Sequence, residues 1–390
     1  MVAVPSVDIT FLVEFIVAYV AVYYVLTSSL NLKAGVTGIP DFGQAMFFAV
    51  GGIVVGNLAA RIAAALAGMD PSLVIAENTT TLEVLNSEFF PNRPLESIAI
   101  LVVAIASALA LGGLLGLLAS YPALRLRGDY LAIMLLVTAE ALRIYTTYSV
   151  WLMGSTPTVG LTLPSLLAWT GDPGLASILL TLAIAVAVYI YMERLYNSPA
   201  GRLMRAVRDD EDASKALGKD VAKVRRNAMV VGSALAALAG VLYSINPLLA
   251  GSSVAAVSIF DRMLWTFWPW ALMILGGMSS NRGVAIASVV TGAAILGPIR
   301  LYKAELARLL RVDALGFDTD KFAAGLEFIL IGPLILAILF LRPQGIIPEP
   351  PSRTLPEKDI EEIKARTAGQ TGSETPQGEE EPPASDTEAR

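Results

Sequence analysis

The sequence predicts an all-α, polytopic integral membrane protein. Of its 390 residues, 55% are hydrophobic and 16% are charged, and the mean hydropathy is +0.63. Soluble proteins carry about 25% charged residues, so this composition is typical of a chain that lies mostly in a bilayer. Apolar runs near the roughly 20 residues that cross a membrane recur along the chain. We expect about 8–10 transmembrane helices in a membrane domain, residues 1–347, followed by an acidic tail, 348–390.

The apolar runs place nine spans. They lie near residues 9–30, 43–67, 96–119, 130–153, 174–192, 227–248, 263–279, 283–299 and 325–342. The glycine-rich stretch 31–56 is interrupted by Pro40, and two interpretations of it stay open. It is either a broken helix beside a transport pathway, which would add a re-entrant half-helix, or a helix whose glycines permit close packing.

Basic residues orient the spans, because cytoplasmic loops carry an excess of Lys and Arg. The charged loop 197–226, together with Arg125 and Arg127, is therefore expected in the cytoplasm. The loop 154–173 has no Lys or Arg and is expected outside. Alternation along the chain then places 31–42 and the C-terminal tail in the cytoplasm of a cell-membrane protein.

The tail is expected to be disordered. From residue 349 onward it holds eleven acidic and five basic side chains, which accounts for the whole formal charge of −6. A segment this polar and this rich in Pro, Glu and Ser cannot bury enough apolar surface to offset the entropy of ordering. The membrane body is therefore electrically balanced, and nothing in it suggests binding to nucleic acid.

Several ionisable residues fall within or at the ends of predicted spans, where they are costly and point to function. Glu140 and Arg143 are three residues apart, so they share a helix face and are expected to neutralise each other. This intramembrane pair is interpreted as structural rather than as a proton route. The complete set is Glu14, Glu140, Arg143, Asp261, Arg262 and Glu327.

The chain lacks the residues that most enzymes and energy-coupled motors need. It has no Cys and no His, which excludes disulfides, thiolate catalysis and imidazole ligands, and no catalytic or metal site is expected. Its single Gly-Lys pair, at Gly218 and Lys219, is followed by Asp220 and lacks the rest of a phosphate-binding loop. Uphill transport would therefore need an ATPase on another chain, or an ion gradient.

The loop 197–226 is predicted to form two short helices. Ser198-Pro199 is typical of a helix start, and Asp209 and Asp210 can cap a second helix that ends at Gly218. In the first helix the basic residues line one face and the apolar residues line another. Such helices either dock into a groove of a partner protein or lie along anionic lipid headgroups, and both interpretations stay open. The basic set is Arg202, Arg205 and Arg208, and the apolar set is Leu203, Met204 and Val207.

The sequence of this loop resembles the cytoplasmic loop of the LivM-type permease subunits of branched-chain amino acid ABC transporters. It reads NSPAGRLMRAVRDDEDASKALGKDVAKVRR. Further segments resemble that family in the same order, so that the likeness runs from about residue 31 to residue 347. They are NLKAGVTGIPDFGQAMFFAVGG (31–52), LRLRGDYLAIMLL (124–136), ALAALAGVLYSINPLLAG (234–251) with MILGGMSSNRGVAIAS (273–288), and FLRPQGII (340–347).

The resemblance implies a transport subunit that is not itself an enzyme. Its partners would be a homologous LivH-type permease, two ATP-binding subunits and an external solute-binding protein. The chain would bind no cofactor, because ATP and Mg²⁺ would sit on the ATPase. Carried over by position, the residues that contact the ATPase are Gly201, Arg202, Arg205, Asp209, Asp210, Ala213, Leu217 and Gly218. From their irregular backbone, the candidates for the pathway are Gly35, Gly38, Gln44, Gly276 and Gly277.

The sequence departs from the family pattern in ways that bear on the substrate. Where the family reads toward GGxxG, this chain has MGSTPTVGL at 153–161, and the external segment 68–95 and the acidic tail exceed what the family carries. A urea or short-amide permease of the same family therefore remains an alternative. An ion-coupled secondary transporter and a membrane enzyme are the rivals from other classes, and the lack of His, Cys and a carboxylate pair disfavours the enzyme.

Overall fold

The fold is a bundle of long apolar helices, as the sequence predicts. Within the part of the chain that the structure describes, six helical segments are long and apolar enough to cross a membrane, and Met263–Gly276 is a shorter apolar helix. The protein is therefore an all-α, multi-pass membrane protein. The computed structural model describes residues 9–126, 128–149, 151–152, 158–250, 253–254, 259–292 and 344–349, and isolated positions at 325, 333, 336, 337, 340 and 341.

The elements follow one another with short connections. The helices are α1 (Ile9–Leu30), α2 (Gln44–Ile53), α3 (Ala60–Leu66), α4 (Leu73–Ala76), α5 (Asn78–Val84), α6 (Phe90–Asn92), α7 (Pro94–Arg125), α8 (Asp129–Tyr148), α9 (Leu163–Leu166), α10 (Pro173–Asn197), α11 (Pro199–Asp209), α12 (Glu211–Ala216), α13 (Val221–Ser244), α14 (Pro247–Ala250), α15 (Trp268–Gly276) and α16 (Asn281–Val290). Wider π-helical turns join some of them, namely π1 (Asn31–Val36), π2 (Val54–Ala59), π3 (Leu85–Phe89) and π4 (Met263–Phe267). A two-residue antiparallel pairing links β1 (Thr158–Val159) to β2 (Ser253–Val254).

Helix α13 is the centre of the bundle, and α2 and α7 cross it at glycines. A Cβ atom on Gly240 would overlap the carbonyl oxygen of Phe48 in α2. On the α7 side, a Cβ on Gly116 would lie 2.7 Å from the carbonyl oxygen of Met229. Small residues of this kind let helix backbones approach closely in membranes, where packing rather than hydrophobicity drives association. The close-packing interpretation of the 31–56 stretch is therefore correct for Gly51, whose Cβ would overlap the backbone of α13.

We expect Gly240→Ala to destabilise the folded protein by about 1–3 kcal/mol, the usual cost of forcing an extra group into a packed core. Gly113→Ala is the matched control, because its Cβ would meet its nearest atom at an ordinary 3.6 Å. The midpoint of thermal unfolding of the purified protein in detergent checks both variants. Equal midpoints for the two variants would contradict this account of the α2–α13 crossing.

The connection between the second and third spans is more structured than its polar sequence indicates. Residues 73–92 form α4, α5, π3 and α6, and their apolar side chains pack in one buried cluster with α9. Asn86 ties the two segments together, because its Oδ1 accepts from the Thr162 N–H at 3.2 Å. The segments predicted to be external, 68–95 and 154–173, therefore contact each other.

The loops lie in two sets, one at each end of the bundle. Helix α10 runs from Pro173 to Asn197, which at 1.5 Å per residue is about 37 Å, enough to cross a bilayer. The segment before it belongs to the end that holds α4, α5 and α9, and α11 follows it at the opposite end. The membrane topology predicted from the basic residues divides the loops into the same two sets.

Some boundaries differ from the sequence prediction. Helix α13 begins at Val221, so 221–226, assigned to the charged loop, forms the first turns of a span, started by Asp220 Oδ1 accepting from the Lys223 N–H at 2.9 Å. The helix predicted for 263–279 ends at Gly276. The predicted spans 283–299 and 325–342, and the acidic tail, lie partly or wholly outside the described residues.

Candidate coupling surface and intramembrane charges

Helix α11 begins as predicted and packs tightly against the end of α10. The Ser198 hydroxyl oxygen accepts from the Gly201 N–H at 3.3 Å, and Pro199 occupies the first helical position. Gly201 is buried against the last carbonyls of α10, and a Cβ there would overlap the Leu195 oxygen. Met204 and Val207 are buried on the same face. Of the predicted contact residues, Gly201 therefore positions the helix and has no free surface.

Helix α12 forms the exposed tip of the loop. Asp210 caps it, with Oδ1 accepting from the Ala213 N–H at 2.9 Å, and Gly218 ends it with a φ of 74°. Ala213 is exposed, and the Leu217 side chain is 77% exposed. An exposed leucine directly after a short, capped helix is available for contact with a partner surface. Four further candidate positions are also exposed: Arg202, Asp209, Asp210 and Gly218.

The basic residues of α11 recur at the spacing of one helix face, as predicted, but they are not all free for a partner or a lipid surface. Arg205 donates to the Tyr196 carbonyl at 2.7 Å and lies 3.5 Å from a Glu349 carboxylate oxygen. Arg208 pairs with the other oxygen of Glu349 at 2.9 Å. Of the three arginines, Arg202 alone is exposed. Glu349, which is distant in sequence, pairs with two of the guanidinium groups, and this weakens the lipid-headgroup interpretation.

Residues 344–349, which we call the strap, hold the turn between α15 and α16. The Ile346 N–H donates to the Leu275 carbonyl at 2.8 Å, and the Ile347 N–H donates to the Gly276 carbonyl at 3.0 Å. Gly277, with a φ of 108°, leaves room for the strap, because a Cβ there would overlap the Ile347 oxygen. The predicted pathway candidates Gly276 and Gly277 therefore lie at this backbone-to-backbone contact. The prediction assigned Glu349 to the tail, but here it pairs with α11.

The regular helix is interrupted after α1 at residues 31–43, which we call the break, and α11 contacts the break. Helix α1 widens into π1, and residues 37–43 form an irregular turn before α2. Arg208 donates to the carbonyl oxygen of Gly35 at 2.8 Å. Gly38, at a φ of 73°, lies against the same arginine, and its Cβ would be 2.9 Å from Arg208 Cγ. Asn31 joins the break to the turn between α15 and α16, because its Oδ1 accepts from the Ser279 N–H at 2.8 Å.

A buried ionic network, which the sequence analysis missed, stabilises the conformation of the break. The Lys33 ammonium contacts an oxygen of Asp41 and donates to Gln44 Oε1 at 2.5 Å, and all three side chains are 0% exposed. Asp41 Oδ1 accepts from the Gly43 N–H at 2.8 Å, and Gln44 Nε2 donates to the Ser29 hydroxyl at 2.6 Å. Of the predicted pathway residues, Gln44 therefore belongs to a buried, hydrogen-bonded ionic network.

The network was missed because its charges lie in a stretch that reads as a loop. Lys33 and Asp41 flank Pro40 and several glycines, so they were not counted among the membrane-embedded charges. The signal available was the pairing of one cation and one anion eight residues apart across a predicted helix break.

The predicted pair between Glu140 and Arg143 is present on α8. Arg143 Nε donates to Glu140 Oε1 at 3.0 Å. A third group joins it, because Arg262 Nη1 lies 3.4 Å from Glu140 Oε2. The side chains of Glu140, Arg143 and Arg262 remain 25%, 31% and 47% exposed. Glu14 lies near Gly174 at the start of α10, and Glu327 falls outside the described residues.

The model of a family described as the permease component of branched-chain amino acid transport systems matches residues 12–310. The probable branched-chain amino acid transport permease protein LivM of Methanocaldococcus jannaschii is 34% identical over 91% of this chain and 99% of its own length. The high-affinity permease protein LivM of Escherichia coli is 26% identical over 84% of this chain and 68% of its own length.

The LivM protein of Salmonella typhimurium is 27% identical over 60% of this chain and 54% of its own length. No solved structure matches the chain. The resemblance drawn from the sequence motifs is confirmed by a family match across more than half of the chain and by a relative aligned over nearly its whole length. The chain belongs to the family of permease components of branched-chain amino acid transport systems.

Proposed function

We propose that this protein is a membrane-spanning subunit of an ATP-driven importer that moves branched-chain amino acids. The family match and the names of three relatives support this substrate class. The proposed partners are a second, homologous permease, two ATP-binding subunits and an external solute-binding protein. ATP and Mg²⁺ bind to the ATP-binding subunits, so that this chain provides the path and not the chemistry.

The exposed tip at α12 is the proposed contact with an ATP-binding subunit. Its apolar residues, Ala213 and Leu217, face outward from a helix that is capped at both ends. Glu211 pairs with Arg225 at 3.2 Å, which joins the tip to the first turns of α13. A partner that pushes on this helix therefore pushes on the central span.

The observation that carries the proposal is the contact between Arg208 and the helix break. One guanidinium donates to the Gly35 carbonyl at 2.8 Å and pairs with Glu349 at 2.9 Å. Charge-assisted hydrogen bonds of this kind are about twice as strong as neutral ones. Movement of α11 with the ATP-binding subunits would displace π1 and the irregular turn at residues 37–43. This is the proposed route by which closure of the ATP-binding subunits on ATP reaches the spans.

The position of Glu349 supports a cytoplasmic C-terminal tail. This residue lies at the start of the tail, and it pairs with α11 of the loop whose basic residues indicate the cytoplasm. We therefore propose that the chain enters the tail on the cytoplasmic side of the membrane.

Reconstitution of the complete transporter in liposomes tests the proposed function. With the solute-binding protein outside and ATP inside, radiolabelled leucine should accumulate, and urea or acetamide should not compete with it. Competition by urea or acetamide alone would favour the short-amide alternative. Uptake by this chain alone, without ATP and driven by an ion gradient, would contradict the proposal.

Leu217→Asp should detach the ATP-binding subunit. An apolar anchor at the centre of an interface contributes about 2 kcal/mol or more, so we expect the affinity to fall by about thirtyfold. Leu217→Met, which keeps the apolar volume, is the control and should bind normally. The amount of ATP-binding subunit that copurifies at graded concentrations measures the effect. Normal binding of the Asp variant would show that the tip is not the contact.

A further inference from the structure

A cavity of about 480 Å³ opens beside the charges on α8. Its volume falls within the range of about 300–1,000 Å³ that is typical of small-molecule sites. Its wall combines charged groups with an apolar surface, as such sites usually do. The charged residues are Arg143, Asp261 and Arg262, and the apolar residues are Leu136, Phe260, Met263 and Phe267.

The depth of this cavity determines what it can face. Helix α8 has 20 residues, and Glu140 lies about 16 Å along it, near the middle of a hydrocarbon core of about 30 Å. Ionisable side chains at that depth face a water-filled cavity or the interior of an assembly, because facing lipid is too costly. Arg262 nevertheless remains 47% exposed, and it approaches the same glutamate. The open side of the cavity must therefore meet water, solute or protein.

When the adjacent Glu140 is counted, the charges at the cavity are balanced, and hydrogen-bonding capacity remains on Asp261 and Arg262. Two arginines stand against Glu140 and Asp261. Asp261 Oδ1 accepts from the Met263 and Leu264 N–H groups at 2.8 and 3.1 Å. None of the described residues donates to Oδ2, so this oxygen can accept from a ligand. Arg262 has five N–H donors, and within the described part of the chain its ion pair is with Glu140. A neutral ligand that carries both an anion and a cation would complement this arrangement.

We propose that this cavity is a binding subsite for a zwitterionic amino acid on the route through the membrane. The inference rests on the proposed function and adds the residues that would hold the solute. The α-carboxylate pairs with Arg262, and the α-ammonium group pairs with Asp261 Oδ2. The aliphatic side chain contacts Leu136, Met263 and Phe267. A short amide carries neither charge, so this site would favour amino acids over amides.

The first test narrows the apolar end of the cavity. In the complete reconstituted transporter, Leu136→Trp should lower leucine uptake relative to alanine uptake by about tenfold or more, since small differences in volume discriminate by about 10–200-fold. Val137→Trp is the matched control, because Val137 is the next residue on α8, is 60% exposed and does not line the cavity. Its leucine-to-alanine ratio should equal that of the wild type.

The second test removes the carboxylate partner. Arg262→Gln should lower uptake of both amino acids by about 10–100-fold, the usual effect of losing a hydrogen bond to a charged group. Arg262→Lys keeps the charge and should recover part of the uptake. Arg93→Gln is the control, because Arg93 pairs with Glu96 at 3.4 Å on an exposed surface and should transport normally.

The outcomes separate this proposal from the proposed function. Normal wild-type leucine uptake with an unchanged leucine-to-alanine ratio in Leu136→Trp would overturn the subsite alone. So would Arg262→Gln complexes that lose the second permease on purification, because the arginine would then belong to a subunit interface. Absence of ATP-driven leucine uptake by the wild type would overturn both.

Discussion

Lys33→Met is expected to lower the free energy of unfolding by about 3–5 kcal/mol, the cost of leaving one member of a buried ion pair without its partner. The variant leaves Asp41 and Gln44 fully buried with an unmatched carboxylate and an unmatched amide oxygen. The equilibrium unfolding of the purified protein in mixed micelles measures the change. Arg93→Met is the control, because its exposed ion pair contributes at most about 1 kcal/mol.

A double variant shows whether the loss comes from the pair. Lys33→Met combined with Asp41→Asn removes both charges and keeps an oxygen that can accept from the Gly43 N–H. The double variant should therefore be more stable than Lys33→Met alone, because the uncompensated charge is gone. If the two single changes simply add, the network does not act as a lock and this account of the break is wrong.

Arg208→Ala is expected to separate ATP hydrolysis from transport. The ATP-binding subunits should still assemble and hydrolyse ATP, because the exposed tip at α12 is intact. Solute uptake per ATP should fall by about 5–150-fold, the range of typical coupling free energies between sites. Parallel measurements of phosphate release and leucine uptake in the same liposomes give this ratio.

Arg282→Ala is the control for that experiment. Arg282 is 71% exposed and pairs with Glu193 at 3.2 Å, so it also loses an arginine–carboxylate contact without touching the break. Its uptake per ATP should match the wild type. Equal ratios for Arg208→Ala and the wild type would show that α11 does not act through Gly35.

The spans and the short loop helices could be predicted because their signals are local. A run of about 20 apolar residues is long enough to identify a membrane helix without knowledge of its neighbours. Capping is also local, and Ser198 and Asp210 cap α11 and α12 as their sequence positions indicate. The Glu140–Arg143 pair was predictable for the same reason, since three residues on a helix bring two side chains together.

The contacts that join these parts could not be predicted, because they depend on the tertiary fold. Arg208 and Gly35 are 173 residues apart, and the Ser279 hydroxyl donates at 2.9 Å to Glu349, which is 70 residues away. The helical periodicity of α11 gave all three arginines the same face but did not reveal which of them had partners elsewhere. Lys33 was missed because a charge beside Gly and Pro is typical of a loop, whereas here the π-turn directs it inward.

The most direct test of the coupling route uses the absence of cysteine from this chain. A Cβ on Gly38 would lie 3.5 Å from Arg208 Cβ, close to the Cβ–Cβ distance of about 3.5–4.5 Å in disulfides. The variant Gly38→Cys/Arg208→Cys should transport poorly when reduced, because the arginine contact is lost and a cysteine at a φ of 73° is strained. Oxidation should restore uptake per ATP, because the disulfide joins α11 to the break. Uptake that stays low despite complete disulfide formation, or that is normal in the reduced state, would contradict transmission through this contact.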